Sequence, residues 1–200
     1  WHKETQQLTT FDGRETAPQA ATSELFLNAK GKPLKWSDAV VGGKSVGVPG
    51  LLAALSKGHE QFGILPWEVL FQPAINLAEN GFIVSPRLEK LLAMNFNPGI
   101  HILPEIKNYF SPNGISIKAG DILKNPKLAK VLRSISTEGV DVFYNGWIAK
   151  KIVEKVQNSA ISPGLLSLND MKKYQAIERT SVCGPYHQYK VCGMAPPSSG

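Results

Sequence analysis

Leu8-Thr9-Thr10-Phe11-Asp12-Gly13-Arg14-Glu15-Thr16-Ala17-Pro18 reads as a short strand, Leu8 to Phe11, that turns at Asp12-Gly13 and presents an arginine on the turn. A guanidinium is planar, stays charged and forms two parallel hydrogen bonds to a carboxylate, so an arginine on a rigid turn is suited to clamping an acid. Asp12 and Glu15 flank Arg14 and are placed to orient it. The same spacing also fits a plain surface ion pair worth ~0–1 kcal/mol. Spacing alone does not separate the two readings.

Outward from this turn the chain becomes helical. Pro18 opens a short Ala-rich helix toward Phe26, and residues 31–35 form a loop. Val40-Val41-Gly42-Gly43 and Gly47-Val48-Pro49-Gly50 make a Gly-rich stretch, after which Pro49 starts a helix through Leu51, Leu52 and Leu55. Pro66 and Pro73 each sit where a first turn begins, so two helices are expected, near 66–71 and 73–80, closed by Asn80-Gly81. Ser85-Pro86 and Asn125-Pro126 are both an N-cap followed by proline at the first helical position. Tyr144, Ile148, Ile152 and Val156 form an apolar stripe opposite Lys150, Lys151, Glu154 and Lys155, and Ser167-x-x-Asp170 opens a last short helix. From Glu178 to Met194 the alternation predicts a β-hairpin. The expected architecture is a helical block between β segments at both ends. A lone strand or hairpin is marginal without partners. Both ends are therefore expected to belong to a sheet completed by strands from elsewhere, with exposed apolar edges that favour self-association.

Composition narrows the function. Of 200 residues, 42% are hydrophobic and 19% charged, the range of a globular chain with a packed core. The net charge of +6 is spread over many segments (Lys30, Lys57, Lys90, Lys107, Lys127) without an aromatic-lined basic run, so no nucleic-acid partner is expected. No apolar run reaches the ~18 residues that span a bilayer. His2, His59, His101 and His187 are scattered without metal-ligand spacing, and no metal or cofactor is expected. Gly43-Lys44-Ser45 imitates a phosphate loop, but the glycine required five residues earlier is Asp38, so a close-packed turn is the expected reading. No serine lies in a Gly-x-Ser-x-Gly elbow, and no set of nucleophile, base and orienting group is complete, so no catalytic residue is assigned. The first residues lack a methionine or a charged-then-apolar leader, and the last ones, Pro196-Pro197-Ser198-Ser199-Gly200, read as mid-loop. The expectation is an incomplete piece of an enzyme. If His187-Gln188 is a two-residue turn, Cys183 and Cys192 face each other, which allows either a disulfide or two free thiols.

Several stretches together resemble one family. Asp12-Gly13-Arg14-Glu15-Thr16-Ala17-Pro18 is similar to the arginine motif of γ-glutamyltranspeptidases, as is Ser45-Val46-Gly47-Val48-Pro49-Gly50. Pro73-Ala74-Ile75-Asn76-Leu77-Ala78-Glu79-Asn80-Gly81-Phe82, Phe143-Tyr144-Asn145-Gly146-Trp147-Ile148-Ala149 and Met194-Ala195-Pro196-Pro197-Ser198-Ser199-Gly200 complete an ordered series over nearly the whole chain. Ala195 departs from the prolines common at that point.

The resemblance implies an α/β fold, part of the αββα sandwich of N-terminal nucleophile hydrolases, with residues 1–200 a single partial domain from the large-subunit region. It implies a self-cleaving proenzyme whose small subunit, absent here, begins with the threonine nucleophile. That threonine attacks the γ-glutamyl carbonyl of glutathione or a related amide, and the acyl group passes to water or an amino acid. It gives Arg14 the α-carboxylate of the γ-glutamyl group. The implied partners are the small catalytic subunit of the same precursor and a γ-glutamyl substrate, and the implied location is extracytoplasmic, which permits a Cys183–Cys192 bridge. The alternatives are an acylase or poly-γ-glutamate depolymerase of the same fold, or a catalytically silent homologue.

Overall fold

The computed structural model describes residues 1–195 and 197. Of the motif from Met194 to Gly200, Pro196, Ser198, Ser199 and Gly200 lie outside the described residues.

The chain runs β1 (Thr10–Asp12), α1 (Trp36–Val40), α2 (Leu51–Phe62), α3 (Trp67–Asn80), β2 (Phe82–Ile83), α4 (Pro86–Ala93), α5 (Gly99–Ile102), α6 (Pro104–Phe110), β3 (Ile122–Leu123), α7 (Pro126–Glu138), α8 (Asp141–Tyr144), α9 (Trp147–Gln157), α10 (Leu168–Lys173), β4 (Ile177–Arg179), β5 (Val182–Tyr186) and β6 (Tyr189–Gly193). The expected helix starts hold at the atomic level. Ser85 Oγ accepts from Leu88 N at 3.2 Å and Asn125 Oδ1 from Leu128 N at 2.9 Å, each just before a proline. Ser167 and Asp170 form a reciprocal capping box that opens α10.

Two expected helices are instead one. Pro73 lies inside α3, which continues without a break to Asn80. An interior proline costs a helix roughly 3 kcal/mol, and here the cost is offset by fastening α3 to α7 on both sides of Pro73. Trp67 Nε1 donates to Ile135 O at 3.1 Å and Ser136 Oγ to Glu68 O at 3.3 Å on one side. On the other side Asn125 N donates to Ala78 O at 2.7 Å, and Arg133 pairs with Glu79.

The expected helix from Pro18 to Phe26 is absent. That segment forms isolated turns, with Ala21 N bonded to Pro18 O and Leu25 N to Thr22 O. Thr22 Oγ1 takes the Glu24 amide, and the Gln19 amide goes to Asp170. Side chains that capture backbone amides compete with a helix, and this mostly exposed segment has no apolar face to counter them.

The core lies where the predicted stripe meets the Gly-rich loop. Val48, Tyr144, Ala149, Val153, Val156, Leu166 and Met171 form one buried cluster, and Ile135, Val142 and Ile148 form the next. A satellite cluster of Val84, Ile117 and Leu123 closes the β2–β3 corner. Within the stripe, Ile152 is only partly buried while Ala149 and Val153 are buried, because Tyr144 belongs to α8 and the face is reset at Asn145-Gly146. Gly42-Gly43 packs against residues 161–164, where a Cβ on either glycine would overlap backbone atoms. Gly43 N and Lys44 N donate to Ile161 O and Ser162 O, so these amides are spent on structure and cradle no phosphate.

The end strands pair with each other. β1 runs antiparallel to β4 in the register Thr10↔Arg179, Phe11↔Glu178, Asp12↔Ile177, two residues later at its start than the expected Leu8. β4 therefore lies outside the hairpin, which is β5–β6, turning at His187 (φ 52°) with Cys183 opposite Cys192. Val182, Tyr186, Tyr189 and Val191 on the hairpin are exposed.

Tyr144 links the core to the Gly-rich loop. Its hydroxyl donates to Pro49 O at 2.8 Å and accepts from Ala53 N at 3.2 Å. Burial pushes its pKa up to about 12. A phenol favoured in its neutral form contributes stability that is complete below its ordinary pKa of 10 and is lost as pH rises through the folded value. Tyr144→Phe is expected to lower stability by about 1–3 kcal/mol at neutral pH and to flatten the loss expected for the unsubstituted chain between pH 10 and about 12, as checked by urea titrations of both.

Candidate functional site

Arg14 sits on the turn after β1, and the structure fixes its backbone from both sides. Its amide donates to Asp12 Oδ1 at 2.8 Å, and its carbonyl accepts from Tyr174 Oη at 2.7 Å. The turn lies against the loop that precedes α2, with Val48 N donating to Thr16 O at 2.8 Å in an antiparallel bridge. Gly50 makes this approach possible, since a Cβ there would collide with Tyr174 Oη and the Gly13 carbonyl. Thus two of the sequence motifs, 12–18 and 45–50, meet in space.

Asp12 is the electrostatic centre of the turn. It is 7% exposed, and its second oxygen, Oδ2, accepts from Arg179 Nε at 2.7 Å. The Arg14 amide, followed by the Arg179 guanidinium, holds its carboxyl below the usual carboxylate range. Asp12 therefore orients Arg14 through the backbone, while its ion pair goes to Arg179 rather than to the Arg14 side chain. The Arg14 guanidinium instead contacts Glu15, Nε to Oε1 at 3.2 Å, with both side chains 57% exposed. Such a pair is worth little, so an incoming carboxylate can replace it. Of the two readings left open by the sequence, the structure contains the surface pair, made by Arg14 on a backbone held from both sides.

Tyr174 completes the support. Its ring stacks on Tyr144 at 5.9 Å between centroids with 5° between planes. Burial, then the negative charges of Asp12 and Glu15, raise its pKa, so the hydroxyl stays protonated to donate to Arg14 O. At the far side of the turn, Asp170 Oδ1 accepts the Gln19 amide at 2.9 Å. Burial raises the Asp170 pKa, but the bonds from Ser167 and the Gln19 amide outweigh it and the net shift is downward. The sequence reading missed Tyr174 and Arg179. Their only signal is long-range, since each acts on residues more than 150 positions away. Among the described residues, no group of three or more His, Cys, Asp and Glu side chains is placed to hold a metal.

Comparison with known proteins follows the same path. The family model for gamma-glutamyltranspeptidase matches residues 1–200. The chain is 37% identical to glutathione hydrolase 3 of Arabidopsis thaliana over 191 residues, 95% of this chain and 28% of that protein. It is also 37% identical to the glutathione hydrolase proenzyme of Escherichia coli over 195 residues, 96% of this chain and 32% of that one. The crystal structure of the γ-glutamyltranspeptidase of Helicobacter pylori superposes with a TM-score of 0.86 at 31% identity, over 94% of this chain and 53% of that chain. The chain thus spans about a third of the length of the curated relatives it matches.

The Asp12 tie yields a pH dependence. A carboxyl with a lowered folded pKa contributes stability that is present above its unfolded value of 3.8 and lost as pH falls through the folded value. Asp12→Asn should flatten the acid limb of a stability–pH curve. It should also speed hydrogen exchange at the Arg14 amide above pH 4, as read by NMR.

Proposed function

This chain belongs to the γ-glutamyltranspeptidase family and carries part of its α/β N-terminal nucleophile hydrolase fold, and from that premise we propose that it is the large-subunit portion of a glutathione hydrolase. In this reading residues 1–200 are one partial domain, and the remainder of the precursor supplies a small subunit whose N-terminal threonine is released by self-cleavage. The name "proenzyme" on the E. coli relative supports processing. The threonine amine takes the proton of its own hydroxyl as that oxygen attacks the γ-glutamyl carbonyl, and the acyl-enzyme then passes to water or an amino acid acceptor.

Arg14 is the residue on this chain that binds the α-carboxylate of the γ-glutamyl group. The observation that carries this assignment is the contrast within Arg14 itself: a backbone fastened by Asp12 and Tyr174, and a guanidinium that, among the described residues, pairs with the exposed Glu15 alone. A fixed base and an available head allow bidentate recognition at a small ordering cost. An extracytoplasmic location is part of the proposal, and the Cys183–Cys192 disulfide supports it, because such bonds persist in oxidising compartments.

In the processed enzyme made from the whole precursor, Arg14→Lys keeps the charge but loses the fork. It is expected to raise KM for γ-glutamyl donors by roughly tenfold with a smaller change in kcat. An unaltered KM in steady-state assays would remove Arg14 from the site. Residues 1–200 expressed by themselves should release no glutamate from glutathione, and turnover by them would relocate the nucleophile to this chain.

A further inference from the structure

The hairpin β5–β6 is a two-stranded ribbon that pairs with no other strand among the described residues. Two-stranded ribbons are marginal in water, and this one is fastened by the Cys183–Cys192 disulfide across directly opposed positions. The bond borders a cavity of about 730 Å³ between the hairpin and the N-terminal segment, lined by both cysteines, Lys190, Ser181, Thr180 and Leu8. Cys183 is an exposed residue and Cys192 a half-buried one, which makes Cys183 the more open of the two to a reagent. Lys190 lies two residues before Cys192 on β6, hence on the same face of the strand. Ser181 Oγ is buried behind the cavity wall with no hydrogen-bond partner among the described residues, a local cost to the fold beside the disulfide.

We propose that this cavity is a thiol–disulfide exchange site for small anionic thiols, and that exchange there releases the β5–β6 ribbon. The thiolate of the small thiol attacks the Cys183 sulfur. The Cys183–Cys192 bond breaks, a mixed disulfide forms on Cys183, and the electron pair leaves on the Cys192 sulfur, which then takes a proton from water. A second thiol attacks the mixed disulfide and frees Cys183. Two small thiols are oxidised to one disulfide while the protein disulfide is reduced to two thiols. Lys190 serves both partners: its ammonium attracts an anionic thiol into the cavity and favours the charge that develops on Cys192. With the cross-link gone, the β5–β6 ladder and the turn at His187 are what hold the two strands together among the described residues. This inference does not depend on γ-glutamyl chemistry, and either proposal can fail without the other.

The test treats the oxidised, purified protein anaerobically with thioglycolate, 2-mercaptoethanol or cysteamine, with rates expressed per thiolate. Samples are quenched in acid, alkylated and mapped by peptide mass spectrometry. The expected result is a first adduct on Cys183 with Cys192 alkylated, formed about threefold or more faster by the anionic thiol than by the cationic one. That preference should shrink in high salt, vanish in Lys190→Gln and reverse in Lys190→Glu. Hydrogen exchange should then show protection lost over residues 182–193 and retained in α9. A first adduct on Cys192, no adduct at all, or an unchanged charge preference in both Lys190 variants would overturn the proposal.

Discussion

The carboxylate of Asp12 is the tie on which the arrangement depends. One oxygen takes the Arg14 amide and the other the Arg179 guanidinium, so a single buried group sets the turn after β1 and joins it to β4. A buried carboxylate needs such partners, since leaving it unpaired costs far more than a surface charge. The β1–β4 pairing, the Arg14 turn and the position of Tyr174 follow from satisfying it.

Around this tie the molecule divides its labour between rigid backbone and free side chain. Tyr144 and Tyr174 stack beneath the turn, one bonded to the loop before α2 and the other to the Arg14 carbonyl. Gly50 allows the layers to approach, and the core of Val48, Ala149, Val153 and Leu166 lies against Tyr144. Among the described residues, none of these groups hydrogen-bonds the guanidinium, which pairs with Glu15. They remove the motion of its base, so in the binding role proposed for Arg14 ordering the side chain would cost only its own rotamers.

Local signals were legible in the sequence. The caps at Ser85, Asn125 and Ser167, the strand leading to Arg14 and the hairpin around His187 are each decided by a few neighbouring residues, and the structure agrees with them. Where neighbours and tertiary contacts disagree, local reading fails. Pro73 signals a break, but packing along α7 carries the helix through it; Pro18 signals a start, but amides diverted to Thr22 and Asp170 leave only turns. The order of motifs pointed to the family, and through it to the role proposed for Arg14, whereas Tyr174 and Arg179 were hidden because nothing near them in sequence reveals a partner at the opposite end of the chain.

The antiparallel pairing of β1 with β4 also sets an order of events in synthesis. Residue 12 leaves the ribosome before residue 179, and until both are available the Asp12 carboxylate lacks the Arg179 guanidinium. At elongation speeds of roughly 5–20 residues per second that interval is on the order of ten seconds, long enough for α2, α3 and α7 to form and pack first. The Arg14 turn is therefore among the last parts of the chain to take shape, and it does so on a helical block already in place.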